Sequence, residues 1–164
     1  MWVVMQDGRL FNTTIAENIA SGLPVDMSNI IKAGKIANID DFISTLPNGY
    51  LTEIGNDGTQ VSMGQRQRIL LARAIYKNPN YLFLDEATSS LDANNERKIM
   101  DNLNAFFEGR TVVVIAHRLS TVQHADQIIV MENGKIMETG NHQTLTSNRG
   151  KYYELVKNQL ELTN

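Results

Sequence analysis

The sequence predicts an α/β fold, a parallel sheet flanked by helices. Two observations carry this expectation. Wholly apolar runs recur at Tyr81–Leu84, Val112–Ile115 and Ile128–Met131, and helical patterns separate them. Strands that are apolar throughout, without alternation, belong to sheets covered on both faces. Trp2–Met5 reads as one more short buried strand, closed by the turn signal Gln6-Asp7-Gly8.

The remaining elements follow in chain order. Ile15–Ser21 has helical character and a cap in Thr13 or Thr14. Gly22-Leu23-Pro24 ends it. From Ser28 to Leu46 two short helices are expected, anchored by Ile30, Ile31, Ile36, Ile39 and Phe42. Pro47-Asn48-Gly49 is a turn, and Thr52–Gln60 reads as an irregular loop. Ser62 is placed to cap a helix from Gly64 to Lys77. Asp92 is placed to cap another, ending near Phe107, with Ile99, Leu103, Phe106 and Phe107 on one face. Asn133-Gly134 is a two-residue hairpin signal into Lys135-Ile136-Met137, and Lys151–Leu162 is expected to be a terminal helix.

Composition narrows the class. The 164 residues are 42% hydrophobic and 20% charged, the profile of an ordinary globular domain with a real core. The net charge of −3 shows no basic stripe, so nucleic-acid binding lacks electrostatic support. With no cysteine, a disulfide scaffold and a Cys-ligated zinc site are excluded. No apolar run approaches the roughly 20 residues that span a bilayer. Met1–Gln6 lacks the basic region of a signal peptide. Any membrane connection is expected through a partner or another segment.

Polar groups follow three of the strands: Gln6, then Asp85-Glu86, then His117. Ligands of open α/β sheets bind beyond the carboxyl ends of the strands. If the strands are parallel neighbours, this set can hold a divalent cation, orient a water and touch a phosphate. Mg²⁺ takes one or two carboxylates plus phosphate oxygens, and a second carboxylate can accept a proton from water. Taken singly, each has a plainer reading: a solvated loop pair, a structural histidine, an exposed turn amide. The helix start Val61-Ser62-Met63-Gly64-Gln65 is equally an ordinary cap or an anion site built from backbone N–H groups.

The order of motifs decides between these readings. Val61-Ser62-Met63-Gly64-Gln65-Arg66-Gln67-Arg68 resembles the signature motif of ABC ATPases, usually L-S-G-G-Q. Tyr81-Leu82-Phe83-Leu84-Asp85-Glu86 resembles the Walker B strand, and Ala87–Asp92 looks like the D-loop. Ile115–Thr121 looks like the switch-histidine segment, and Gln6 fits the Q-loop. The resemblance runs over essentially the whole chain. Leu46-Pro47-Asn48-Gly49-Tyr50 with Thr52-Glu53-Ile54-Gly55 is similar to the exporter branch, which includes peptide or bacteriocin, lipid and multidrug exporters. Gly55-Asn56-Asp57-Gly58 resembles the exporter loop that contacts the membrane domain, with Asn56 where Glu is usual. Met63 replaces a usual glycine.

The resemblance implies a P-loop NTPase sheet of the RecA-like ABC type plus the ABC helical subdomain. One ABC ATPase domain fragment fills residues 1–164. The helical subdomain, with the Q-loop and signature, covers about 12–78; residues 1–11 and 79–164 are the rest of the catalytic core. It implies ATP and Mg²⁺ as ligands. It gives Asp85 and Gln6 to the metal, Glu86, His117 and Gln6 to catalysis, and Ser62, Gly64, Gln65 and Asp92 to nucleotide binding. It implies a second ABC ATPase domain and an exporter's transmembrane domain as partners, at the cytoplasmic face of the membrane, with no nucleic acid.

No G-x-x-x-x-G-K-[ST] occurs in the 164 residues. The resemblance therefore implies that the phosphate loop and the adenine-stacking aromatic precede Met1. The isolated chain is then expected to be inactive. A non-enzymatic interaction fragment is the alternative. A soluble ABC ATPase of DNA maintenance is a third reading, opposed by the short spacing from signature to Walker B and the absence of long heptad helices. The family's strand order also implies that Trp2–Met5, Tyr81–Leu84 and Val112–Ile115 stay neighbours while Ile128–Met131 loses one. Unpaired apolar edges would then be buried against another copy or by rearrangement.

Overall fold

The computed structural model describes residues 1–5, 8–55, 59–85, 93–115 and 122–161, without the side chains of 93–98 and 159–161. The chain divides into two compact units, Met1–Ile115 and Ala116–Asn164. The first begins with β1 (Trp2–Val4), β2 (Thr13–Thr14), α1 (Ile15–Ala20), α2 (Met27–Ile36) and α3 (Asp40–Ser44). A 3-10 turn at Gly49–Leu51 leads to β3 (Glu53–Ile54), α4 (Met63–Lys77), β4 (Tyr81–Asp85), α5 (Ala93–Phe107) and β5 (Thr111–Ile115). The second unit holds β6 (Ile128–Glu132), β7 (Lys135–Gly140), α6 (His142–Asn148) and α7 (Lys151–Glu161).

β1, β4 and β5 form a parallel sheet in the order β1-β4-β5. Trp2 pairs with Leu82 and Val4 with Leu84, while Leu82 pairs with Val112 and Leu84 with Val114. This register collects Val4, Leu82, Leu84, Val112 and Val114 on one face, because side chains alternate along a strand. That face packs into the main core with Ile99 and Leu103 of α5 and Ile69 and Leu71 of α4. Each fully buried leucine or isoleucine contributes about 1.5–3 kcal/mol of transfer energy.

Coverage of the sheet differs from the sequence expectation. The opposite face carries Val3, Val113 and Ile115, of which Val113 is 43% and Ile115 55% exposed. The strands are apolar on both faces, but among the described residues only one face is well packed. The strand grouping follows the expectation: β1, β4 and β5 stay neighbours, and Ile128–Met131 is not paired with them among the described residues. Among the described residues of its own unit, β6 pairs antiparallel with β7. The Asn133-Gly134 turn predicted for this hairpin has φ values of 50° and 74°. Those left-handed values are what a type I′ turn requires, and Asn and Gly adopt them most readily. Beneath the hairpin, Ile128, Val130, Leu145, Tyr152 and Val156 make a small separate core.

Caps set the helix boundaries. Thr14 caps α1, its side chain accepting from the Glu17 N–H, and the Glu17 carboxylate accepts from the Thr14 N–H. Asp26 caps α2 through Ser28 and Asn29, and these bonds hold its carboxyl below the usual range, led by the Ser28 side chain. Thr52–Gln60 is not wholly irregular: Glu53–Ile54 pairs antiparallel with Thr13–Thr14. α6 had no apolar periodicity to announce it, since Leu145 is its only buried residue. The expected Asp92 cap lies outside the described residues.

Gly34 on α2 packs closely against the 3-10 turn at Gly49–Leu51. A Cβ there would run into the Tyr50 hydroxyl. That hydroxyl donates to Asp40 Oδ1 at 2.8 Å. Burial, then the Asp40 carboxylate, pushes the phenol above its ordinary range. Gly34→Ala is therefore expected to cost about 1–3 kcal/mol through overpacking. Urea unfolding of both proteins measures it, and an unchanged midpoint would refute the contact. Tyr50 also predicts a pH limb. A raised folded pKa contributes stability below the unfolded value of about 10 and loses it as pH rises toward the folded value. Thermal melts from pH 9 upward should fall less steeply in Tyr50→Phe than in the parent; equal slopes would exclude Tyr50 as the source.

Candidate nucleotide and metal site

The helix start at Ser62 is a capping box. Ser62 has extended backbone, φ −64° and ψ 163°, and precedes a helix of 15 residues. Its Oγ accepts from the Gln65 N–H at 3.2 Å, and Gln65 Oε1 accepts from the Ser62 N–H at 2.8 Å. The spacing Ser-x-x-Gln produces this pair directly. Both side chains still have donors to give. Ser62 Oγ keeps its own proton, and Gln65 keeps its amide NH₂. The N–H groups of Met63 and Gly64 belong to the first turn, where no intrahelical acceptor exists. Together these donors and the positive end of a four-turn helix suit an anionic group such as a phosphate.

Met63 resolves the departure from the usual glycine. It is the first helical residue and is absent from the positive-φ residues of the described chain. A side chain costs nothing there, because the backbone does not need glycine's left-handed freedom. Met63 is 57% exposed, so its side chain stands beside the helix start without filling it. Arg68, which sequence reasoning did not single out, braces the same turn. Its Nε donates to the Gly64 carbonyl at 3.2 Å and its Nη1 to the Asn38 carbonyl at 2.8 Å. The spacing i, i+4 from Gly64 was the available signal.

The second part of the site is the sheet edge. Asp85 ends β4 and pairs with Ile115, which ends β5; on the other side Val4, ending β1, pairs with Leu84. Parallel pairing puts all three carboxyl ends on one edge. Asp85 is half-buried, and its hard carboxylate oxygens match what Mg²⁺ prefers. In sequence, Gln6, Glu86 and His117 follow these three strand ends within two residues. Gln6, Glu86, His117 and Asp92 lie outside the described residues, as do Asn56 and Asp57. The structure thus places Ser62, Gly64, Gln65 and Asp85, all within the first unit.

Comparison with known proteins identifies the family. The family model described as ABC transporter matches residues 1–89. The ATP-dependent lipid A-core flippase of Saccharophagus degradans is 54% identical over 158 residues, which are 96% of this chain and 27% of the flippase. The multidrug resistance protein pgp-1 of Caenorhabditis elegans is 48% identical over 161 residues, 96% of this chain and 12% of that protein. Among solved structures, a bacterial Atm1-family ABC exporter with ATP bound superposes with a TM-score of 0.89 at 42% identity, over 96% of this chain and 28% of its own. The chain therefore spans about a quarter or less of these proteins. Among the described residues no helix is long and apolar enough to cross a membrane. The family match, the capped signature helix and the parallel sheet ending in Asp85 lead to one assignment: the chain belongs to the ABC transporter family and has the α/β fold of its ATPase domain.

Proposed function

We propose that this chain is part of the ATP-hydrolysing engine of an ABC exporter. The observation that carries the reading is the register of β1, β4 and β5. It aligns the strand ends from which Gln6, Asp85-Glu86 and His117 follow, while the Ser62 helix start supplies a separate phosphate-binding element. In this reading Asp85 and Gln6 would hold Mg²⁺. When bound, the ion supplies positive charge against the phosphate oxygens. Glu86 polarises the attacking water and takes its proton. His117 contacts the γ-phosphate, and Gln6 reports the state of the site toward the membrane domain. Ser62, Gly64 and Gln65 serve the site of a second ATPase domain, docked head to tail, and Asp92 links the two sites. Phosphoryl transfer needs mostly positioning and charge stabilisation, so its groups can be divided between chains.

With this reading goes a proposed division of the residues: about 12–78 as helical subdomain, 1–11 and 79–164 as catalytic core. The exporter's transmembrane domain is the second partner, which places the working domain at the cytoplasmic face of a membrane. For the chain taken alone, a non-enzymatic role is favoured by one observation. Its 164 residues contain no phosphate-loop motif, and that loop's backbone N–H groups and lysine normally cradle the β- and γ-phosphates.

Three outcomes test the proposal. The isolated chain should give no Mg-ATP turnover above background; turnover that disappears in Glu86→Gln would contradict this. In the complete protein, Glu86→Gln should keep ATP binding and lose about 10²–10⁴-fold in kcat, the scale of a lost general base. A parental rate in that variant sinks the assignment of the base. Ser62→Ala should lower the stability of the chain by about 1 kcal/mol through the lost cap, read from denaturant midpoints. A loss near zero would mean the capping box does not form.

A further inference from the structure

Arg73 is 8% exposed and sits in the middle of α4, where every residue from Ile69 to Ile75 is buried. Among the described residues, its guanidinium donates to neutral oxygens. Nε donates to the Asn18 carbonyl at 2.7 Å, Nη2 to Asn18 Oδ1 at 3.1 Å, and Nη1 to the Arg9 carbonyl at 3.2 Å. The ring of Phe11 lies 5.1 Å from the guanidinium carbon. Asn18, on α1, is fully buried. Its Nδ2 donates to the carbonyls of Phe11 and Thr14, each at 3.0 Å, and its Oδ1 accepts from the Phe11 N–H at 2.8 Å. Two side chains from two helices therefore hold the backbone of Arg9–Thr14 at four points.

Burial makes this cation expensive and depresses its pKa. Helix packing alone does not require it, because apolar residues of similar volume stabilise such positions as well or better. What only the planar fork supplies is several fixed donors at once. The segment it fixes leaves β1, one of the three strands that end at the candidate site. The helix that carries it begins at Ser62, 11 residues earlier in the sequence, or about 16 Å along the axis at 1.5 Å per residue.

We propose that Arg73 and Asn18 are a positioning pair that locks the Arg9–Thr14 segment to α4, so that the chain leaving β1 and the Ser62 helix start move as one body. The inference rests on the ATPase reading above. Neither residue touches nucleotide; each acts through the backbone it holds. Displacement of the segment leaving β1 is passed to the signature helix through hydrogen bonds and not through soft apolar contact. In the absence of the lock, the two phosphate-facing elements still form, but their alignment at the moment of hydrolysis is lost.

The test uses the complete protein with the variants Arg73→Lys, which keeps the charge and removes the fork, and Asn18→Asp, which keeps the acceptor for Arg73 and removes the donors to Phe11 and Thr14. Amide hydrogen exchange is followed over residues 9–14 and over α2, and ATP Kd and kcat are measured per folded molecule. Both variants should exchange faster in 9–14 with α2 unchanged. Both should lose about tenfold in kcat with Kd within about twofold, the signature of a lost transition-state alignment. The double variant should be no worse than the worse single one, because the two act through one link. Unchanged exchange in 9–14 overturns the lock. Faster exchange with a parental kcat, or a lower Tm alone, reduces the pair to a structural role and overturns the positioning claim. A parental protein that hydrolyses no ATP removes the ATPase reading and the proposal with it, and is told apart by the absence of any rate that Glu86→Gln abolishes.

Discussion

Seven consecutive residues of α4, Ile69–Ile75, are buried, and the first unit is organised around that fact. A helix buried on all sides needs partners on all sides. α1 and α2 lie against it, β1 reaches it from the sheet, and its own C-terminus leads through Asn78 into β4. Ile69, Leu71, Ala72 and Ala74 all belong to the main core, packed at the density of protein interiors. Only one polar residue in the run, Arg73, must be satisfied by hydrogen bonds, and its partners among the described residues are backbone or amide oxygens.

The two ends of α4 are thereby given different tasks by the same packing. The C-terminal end is fastened. Asn78 adopts a left-handed cap with φ 48°, Arg110 donates to its side chain at 2.7 Å, and Lys77 donates to the Ser21 carbonyl at 2.6 Å. The N-terminal end projects its cap and first-turn N–H groups outward, with Met63 exposed. A rigid helix held at its middle and rear can present its front as a preformed anion site without paying for ordering when the anion arrives. The core positions the site in this sense, although no core residue belongs to it.

The sheet supplies a different kind of constraint. Parallel register aligns strand ends whatever their side chains, so residues far apart in sequence reach one edge. The exposed Val113 and Ile115 show that this edge and its register persist even where one face of the sheet is thinly covered. Hydrogen bonding between β1, β4 and β5 fixes the edge, and apolar burial of Leu82 and Leu84 against α5 and α4 fixes the plane.

Sequence by itself determined whatever depends on short-range rules. Ser62 and Gln65 at a spacing of three specify a capping box, Asn133-Gly134 specifies a tight hairpin turn, and the apolar runs at Tyr81 and Val112 specify strands of a parallel sheet. The motif order specified the family, and with it the candidate residues. Tertiary structure decided what depends on residues distant along the chain. Nothing local marks Glu53–Ile54 as the partner of Thr13–Thr14, because two residues carry no period. α6 lacked an apolar stripe, since it lies on its core through Leu145 alone. Arg73 reads in sequence as an ordinary helical cation. Only the fold, by closing a separation of 55 residues to Asn18, turns it into a buried clamp, and a pairing of that span is fixed by packing that no local pattern encodes.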